Sequence, residues 1–129
     1  MIKPNSVKVC VFCGSKTGNY KKYLEIAYKI GRELSKRNYS VIYGGGKLGL
    51  MGSLADGVIA NQGTLISIVP KYFQDKSILF ENGSEIIFTE NFFERKKNMI
   101  SLADIFLVLP GGYGTLDELF EVISLNQLK

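Results

Sequence analysis

Apolar residues in this chain come in two rhythms. Five short runs are dense in valine, isoleucine and aromatic residues: Val7 to Cys13, Ser40 to Tyr43, Thr64 to Val69, Glu85 to Thr89 and Ile105 to Leu109. They are near-continuous rather than alternating, which predicts strands covered on both faces, as in a parallel sheet. Between them the apolar residues recur at helical spacing. Tyr20 to Asn38 carries Leu24, Ala27, Tyr28, Ile30 and Leu34 with Lys and Glu between them. Leu50 to Asn61 carries Leu54, Ala55, Val58 and Ile59, and Asn91 to Leu102 carries Phe92, Met99 and Ile100. A last segment, Thr115 to Lys129, carries Leu116, Leu119, Phe120, Val122, Ile123 and Leu125. Each of these predicts an amphipathic helix.

Strand and helix therefore alternate through the chain. That order predicts an α/β fold: a Rossmann-like three-layer sandwich, with a parallel sheet of about five strands and helices on both faces. Ligands of such sheets sit at the carboxyl ends of the strands, so the residues that follow each strand matter most. The least regular stretch, Pro70 to Ser84, reads as a long loop, either a flap over a site or a passive surface connection.

Composition narrows the chemistry. A length of 129 residues fits one domain, 1–129. The last helix runs to Lys129 without a stop signal, so the domain is expected to lack its C-terminal strand and helix. The chain contains no histidine, which removes His bases, His nucleophilic triads and His-ligated metals; no metal is expected. Cys10 and Cys13 form C-x-x-C, but positions three apart on a strand face opposite ways. Two buried free thiols are the stronger expectation, and they fit a reducing cytoplasm. No apolar run approaches the ~18 residues that cross a bilayer, and the first residues lack the form of a secretory signal. The net charge is +4 and the pI ≈ 9.0, which favours an anionic ligand. The cations are scattered, without a dense basic tract, so neither nucleic acid nor membrane is expected as a partner.

Three strand ends carry candidate chemistry. After the first strand come Gly14 and Ser15, small enough for close approach to a ligand, though a plain turn would use them too. After the second comes Gly44-Gly45-Gly46-Lys47-Leu48-Gly49-Leu50-Met51-Gly52. It matches G-x-G-x-x-G between a strand and a helix. No Asp or Glu follows in the next strand to hold a ribose, so a mononucleotide suits it better than a dinucleotide. After the fifth comes Pro110-Gly111-Gly112-Tyr113-Gly114-Thr115-Leu116-Asp117-Glu118. Glycines that free the backbone, followed by a helix start, make a phosphate cradle. Thr115-x-x-Glu118 is also a capping box. Asn91 and Glu94 resemble another helix start. Arg95-Lys96-Lys97 is by default a solvated charge run; the alternative turns Arg95 and Lys96 toward the strand ends.

Together these segments resemble the Lonely Guy (LOG) family of cytokinin-activating phosphoribohydrolases, formerly labelled lysine decarboxylases. The P-G-G-x-G-T-x-x-E motif spans Pro110 to Glu118, and R-K-x-x-M spans Arg95 to Met99. F-C-G-S (Phe12 to Ser15) and G-G-G-x-x-G-L-M-G (Gly44 to Gly52) also match. The resemblance implies hydrolysis of the N-glycosidic bond of an N6-modified AMP to free base and ribose 5-phosphate, with no cofactor. It implies Arg95 and Glu118 as the catalytic pair. Gly14, Ser15, Gly45, Gly46, Met51, Lys96, Gly111, Gly112, Tyr113, Gly114, Thr115, Leu116, Asp117 and Ser124 would bind substrate. It also implies a homodimer or higher homo-oligomer. The alternatives are a nucleosidase for AMP or another purine nucleotide, and a carrier of the same fold that binds a nucleotide or cofactor without catalysis. Lysine decarboxylation would ordinarily use pyridoxal phosphate on a lysine, and the sequence offers no motif for it.

Overall fold

The computed structural model describes residues 6–14, 21–73, 79–83, 85–109 and 123. Within them lie five strands, β1 (Lys8–Phe12), β2 (Ser40–Tyr43), β3 (Leu65–Pro70), β4 (Glu85–Thr89) and β5 (Ile105–Val108). Three α-helices, α1 (Lys21–Lys36), α2 (Gly49–Ala60) and α3 (Phe92–Leu102), alternate with them, and a short 3-10 turn covers Lys71–Phe73. All five expected strands and the first three expected helices are present. The fourth expected helix lies outside the described residues except for Ile123, which is helical and exposed.

The sheet is parallel throughout, in the order β4-β3-β2-β1-β5. Its register sets Val9 beside both Val41 and Ile105. Strand composition explains the order. Every residue of β2 and β3 is buried, as are the last four of β1, because layers cover both their faces. The edge strands β4 and β5 are only partly covered.

Alternation along the central strands sends side chains to two separate cores. Val9, Val11, Val41, Tyr43 and Leu65 pack with Ala27 of α1 and Leu54, Ala55 and Val58 of α2. Cys10, Phe12, Ile42, Ile66 and Ile68 pack on the other face with Met99 of α3. The two cysteines are buried thiols outside any disulfide, one in each core, as the strand geometry requires.

The chain moves outward from β1 through β2 and β3 to β4, then returns to the far side of β1 as β5. Right-handed crossovers in opposite directions put α1 and α2 on one face and α3 on the other. The reversal creates a switch point between β1 and β5, where crevices open at the carboxyl ends of the strands. The connection from β3 to β4 carries no α-helix in its described residues. Phe80 fills that place, packed in the α1/α2 core.

Candidate functional site

The loop after β2 is held from three directions. The Gly45 carbonyl accepts the backbone N–H of Phe80 at 2.9 Å. The Gly46 carbonyl accepts the Tyr43 hydroxyl at 3.2 Å. Burial pushes the Tyr43 hydroxyl well above its usual pKa, so it stays protonated and able to donate. The Gly44 carbonyl faces Nη1 of Arg95 at 3.5 Å. Gly45 adopts φ +86°, a conformation that side-chain-bearing residues rarely take. A bridge between Gly46 and Leu79 ties the loop to the far end of the 70–84 connection.

Arg95 arrives from the opposite side of the sheet because the start of α3 is well defined. The Asn91 side chain caps the helix by accepting the Glu94 N–H at 2.8 Å. The Glu94 carboxylate accepts the Glu90 N–H at 2.6 Å, one residue before the position a standard capping box would use. Buried Thr89 donates its hydroxyl to the Asn91 carbonyl at 3.0 Å. Phe92 and Arg95, three residues apart, then share one helix face. The guanidinium lies 4.6 Å from the centroid of the Phe92 ring.

Between these parts lies a cleft of about 290 Å³. Its walls are Gly44, Gly45 and Gly46, Leu48 and Met51 from the start of α2, Val69 from β3, Phe73 and Leu79 from the 70–84 connection, and Phe92 and Arg95 from α3. It opens at the carboxyl ends of β2 and β3, the side on which the fold binds ligands. The lining is apolar apart from the loop backbone and Arg95, the single charged side chain among its described walls. The glycine loop therefore borders a space suited to a flat or greasy group. Met51, Leu48 and Val69 close around it.

Of the sequence-predicted residues, Gly45, Gly46, Met51 and Arg95 meet at this cleft. Gly14, two residues past β1, accepts the Met51 N–H at 3.2 Å, joining the loop after β1 to the start of α2. Lys96 is half-buried on α3 and is not part of the cleft wall. The basic run thus splits: Arg95 turns to the strand ends, and Lys97 is exposed. Ser15, Gly111 to Glu118 and Ser124 lie outside the described residues. Of the 70–84 stretch, Phe73 and Leu79 stand in the cleft wall, and Leu79 is 7% exposed. Leu48, Val69, Phe73, Leu79 and Phe92 were not apparent as lining from sequence. For Phe73 and Phe92 the signal that could have found them is the pair of aromatic residues shortly after each of β3 and β4, Tyr72-Phe73 and Phe92-Phe93. Among the described residues no cluster of acidic or thiol side chains could hold a metal, and no helix is long and apolar enough to cross a membrane.

The family model described as "possible lysine decarboxylase" matches residues 51–129. The chain is 41% identical over 128 residues to cytokinin riboside 5′-monophosphate phosphoribohydrolase LOG5 of Arabidopsis thaliana, covering 99% of this chain and 56% of that protein. It is 42% identical over 121 residues to the probable phosphoribohydrolase LOGL9 of Oryza sativa, covering 94% and 53%. It thus spans about half the length of these relatives. Among solved structures, the X-ray structure of TM1055 superposes with TM-score 0.78 at 27% identity, covering 92% of this chain and 69% of that one. The molybdenum cofactor carrier protein of Chlamydomonas reinhardtii superposes with TM-score 0.81 at 19% identity, covering 95% and 73%, a likeness of fold alone. With the family model covering well over half its length, the chain belongs to the family described as possible lysine decarboxylases, the LOG family.

Proposed function

We propose that this protein hydrolyses the N-glycosidic bond of an N6-modified AMP, a cytokinin riboside 5′-monophosphate. The bond between the anomeric carbon and the base nitrogen breaks. Water adds its oxygen to the anomeric carbon, and the base leaves with a proton. The observation that carries this reading is the apolar cleft with Arg95 at its wall. An apolar pocket takes a purine ring bearing an apolar substituent, and a single guanidinium supplies the charge the reaction needs. The names of the plant relatives, phosphoribohydrolases at 41–42% identity, support the same reaction.

In this reading Glu118 orients water or stabilises the positive charge that develops at the anomeric carbon. Arg95 holds the phosphate or stabilises the departing base; it is too weak an acid to donate a proton. Gly112 to Thr115 seat the 5′-phosphate, which holds the sugar in line. Lys96, Ser15 and Ser124 complete the substrate contacts. Residues 1–129 act as one nucleotide-binding domain within a homodimer or higher homo-oligomer. A cytoplasmic setting is supported by the two buried thiols outside any disulfide, which a reducing compartment preserves.

The family description names lysine decarboxylation, but among the described residues nothing in the cleft suits that chemistry. The described lining is apolar and its one charged side chain is a cation, a poor receptor for a lysine ammonium. The test is base release from isopentenyl-AMP, from AMP and from the riboside lacking phosphate, followed by chromatography. The reading expects the riboside to react about a hundredfold or more slowly, since the phosphate supplies the binding energy that positions the sugar. Equal rates with and without phosphate would contradict it.

A further inference from the structure

Three aromatic side chains at the mouth of the cleft contact one another without being buried. Tyr72, Phe73 and Phe92 are 60%, 39% and 40% exposed. Their ring centroids lie 5.5 Å apart for Tyr72–Phe73, 5.7 Å for Tyr72–Phe92 and 5.1 Å for Phe73–Phe92. Both contacts to Phe92 are edge-on, the arrangement favoured by ring quadrupoles. Each ring keeps more of its surface in water than a core side chain does. What distinguishes its third member is its other neighbour: the face of Phe92 carries the Arg95 guanidinium at 4.6 Å, well inside the range of a cation–π contact.

The ring is itself held on several sides. Asn91 fixes the first turn of α3, which sets Phe92 one helical turn before Arg95 on the same face. Tyr72 and Phe73 brace its edge from the end of β3. Lys71 and Glu90 tie the two segments together outside the rings at 2.6 Å. On the cleft side the guanidinium also meets the Gly44 carbonyl. An arginine side chain has many rotamers, and fixing one before a ligand arrives removes that ordering cost from binding and reaction.

We propose that Phe92, braced by Tyr72 and Phe73, is the positioning residue that sets the orientation of the Arg95 guanidinium at the cleft. Its catalytic consequence rests on the function proposed above; its structural content does not. Phe92 touches the cation by its face, so Tyr can replace it and Leu cannot.

The test is NMR of the arginine side chains in the intact protein, with Arg95 assigned by Arg95→Lys, alongside base release from isopentenyl-AMP. The unmodified protein and Phe92→Tyr should show Arg95 side-chain protons displaced upfield by the ring, relative to those of Arg37. In Phe92→Leu that displacement disappears and kcat falls about tenfold with KM little changed. Tyr72→Ala should give a partial loss of both. The melting temperature of Phe92→Leu should fall only modestly, because Leu keeps part of the ring's apolar contact. An unchanged Arg95 displacement in Phe92→Leu would overturn the proposal. So would a lost displacement with kcat intact, or a fall in kcat that Phe92→Tyr fails to restore. If the unmodified protein releases no base, the function reading falls, and the Arg95 displacement alone decides the positioning role.

Discussion

Glycines bring backbones close in two regions of this molecule, with different results. At the seam between α1 and α2 the space beside each glycine is filled by backbone of the facing helix. A Cβ on Gly57 would lie 2.1 Å from the Tyr28 carbonyl oxygen, and one on Gly31 would lie 2.3 Å from that of Leu54. At the 44–46 loop the nearest atoms belong to side chains. A Cβ on Gly46 would meet Met51 Sδ at 2.8 Å, and one on Gly45 would meet Val69 Cγ2 at 2.5 Å. Beyond those side chains is the cleft. The seam glycines let two helices pack; the loop glycines leave room for something else. Close approach alone therefore does not mark a binding site. What occupies the space does.

That contrast is open to mutation. The largest loss of stability belongs to Gly57→Ala, with Gly31→Ala beside it. Backbone cannot step aside, so each should cost about 3 kcal/mol, the upper end of overpacking, read by urea unfolding. Activity per folded molecule should be unchanged, because the seam lies away from the cleft. Gly45→Ala comes next. Its φ of +86° makes a side chain cost about 1–2 kcal/mol, and here activity should fall as well, since the loop must shift. Ser35→Ala should cost about 1 kcal/mol. Its hydroxyl joins the seam by donating to the carbonyls of Gly31 and Val58, at 3.0 and 3.1 Å. The smallest change in stability belongs to Gly46→Ala, where Met51 can turn away. Its effect should appear in KM for isopentenyl-AMP, raised about tenfold by a methyl group placed in the pocket wall. Stability loss at Gly46 matching that at Gly57 would erase the distinction between the two regions.

The fold was legible in the sequence because a parallel sheet leaves a strong trace. Central strands buried on both faces read as unbroken apolar runs, and Val7 to Cys13 and Thr64 to Val69 showed it plainly. Sheet order was not legible. Apolar runs do not say which strand pairs with which, and the return of the chain to the far side of β1 follows from tertiary packing. The cleft was half legible. Gly45, Gly46, Met51 and Arg95 were found through their motifs, whose spacing local geometry enforces. Leu48, Val69, Phe73, Leu79 and Phe92 were missed because a large apolar residue at a strand end looks like core until neighbouring elements leave it facing a space. The seam glycines Gly31 and Gly57 were equally silent, since a glycine within a helix gives no sign of what faces it. The motif singled out Arg95 and Lys96 from the charge run but did not separate the two; the helical turn set by the Asn91 cap puts Arg95, and not Lys96, in the described cleft wall.

The proposed function requires this chain to cleave a nucleotide rather than merely hold one. Release of free base from isopentenyl-AMP by the unmodified protein and by Glu118→Gln, with nucleotide binding measured on both by calorimetry, separates the two. The unmodified protein should release base, Glu118→Gln should lose about a hundredfold or more, and both should retain nucleotide binding. Binding without release in the unmodified protein would contradict that function.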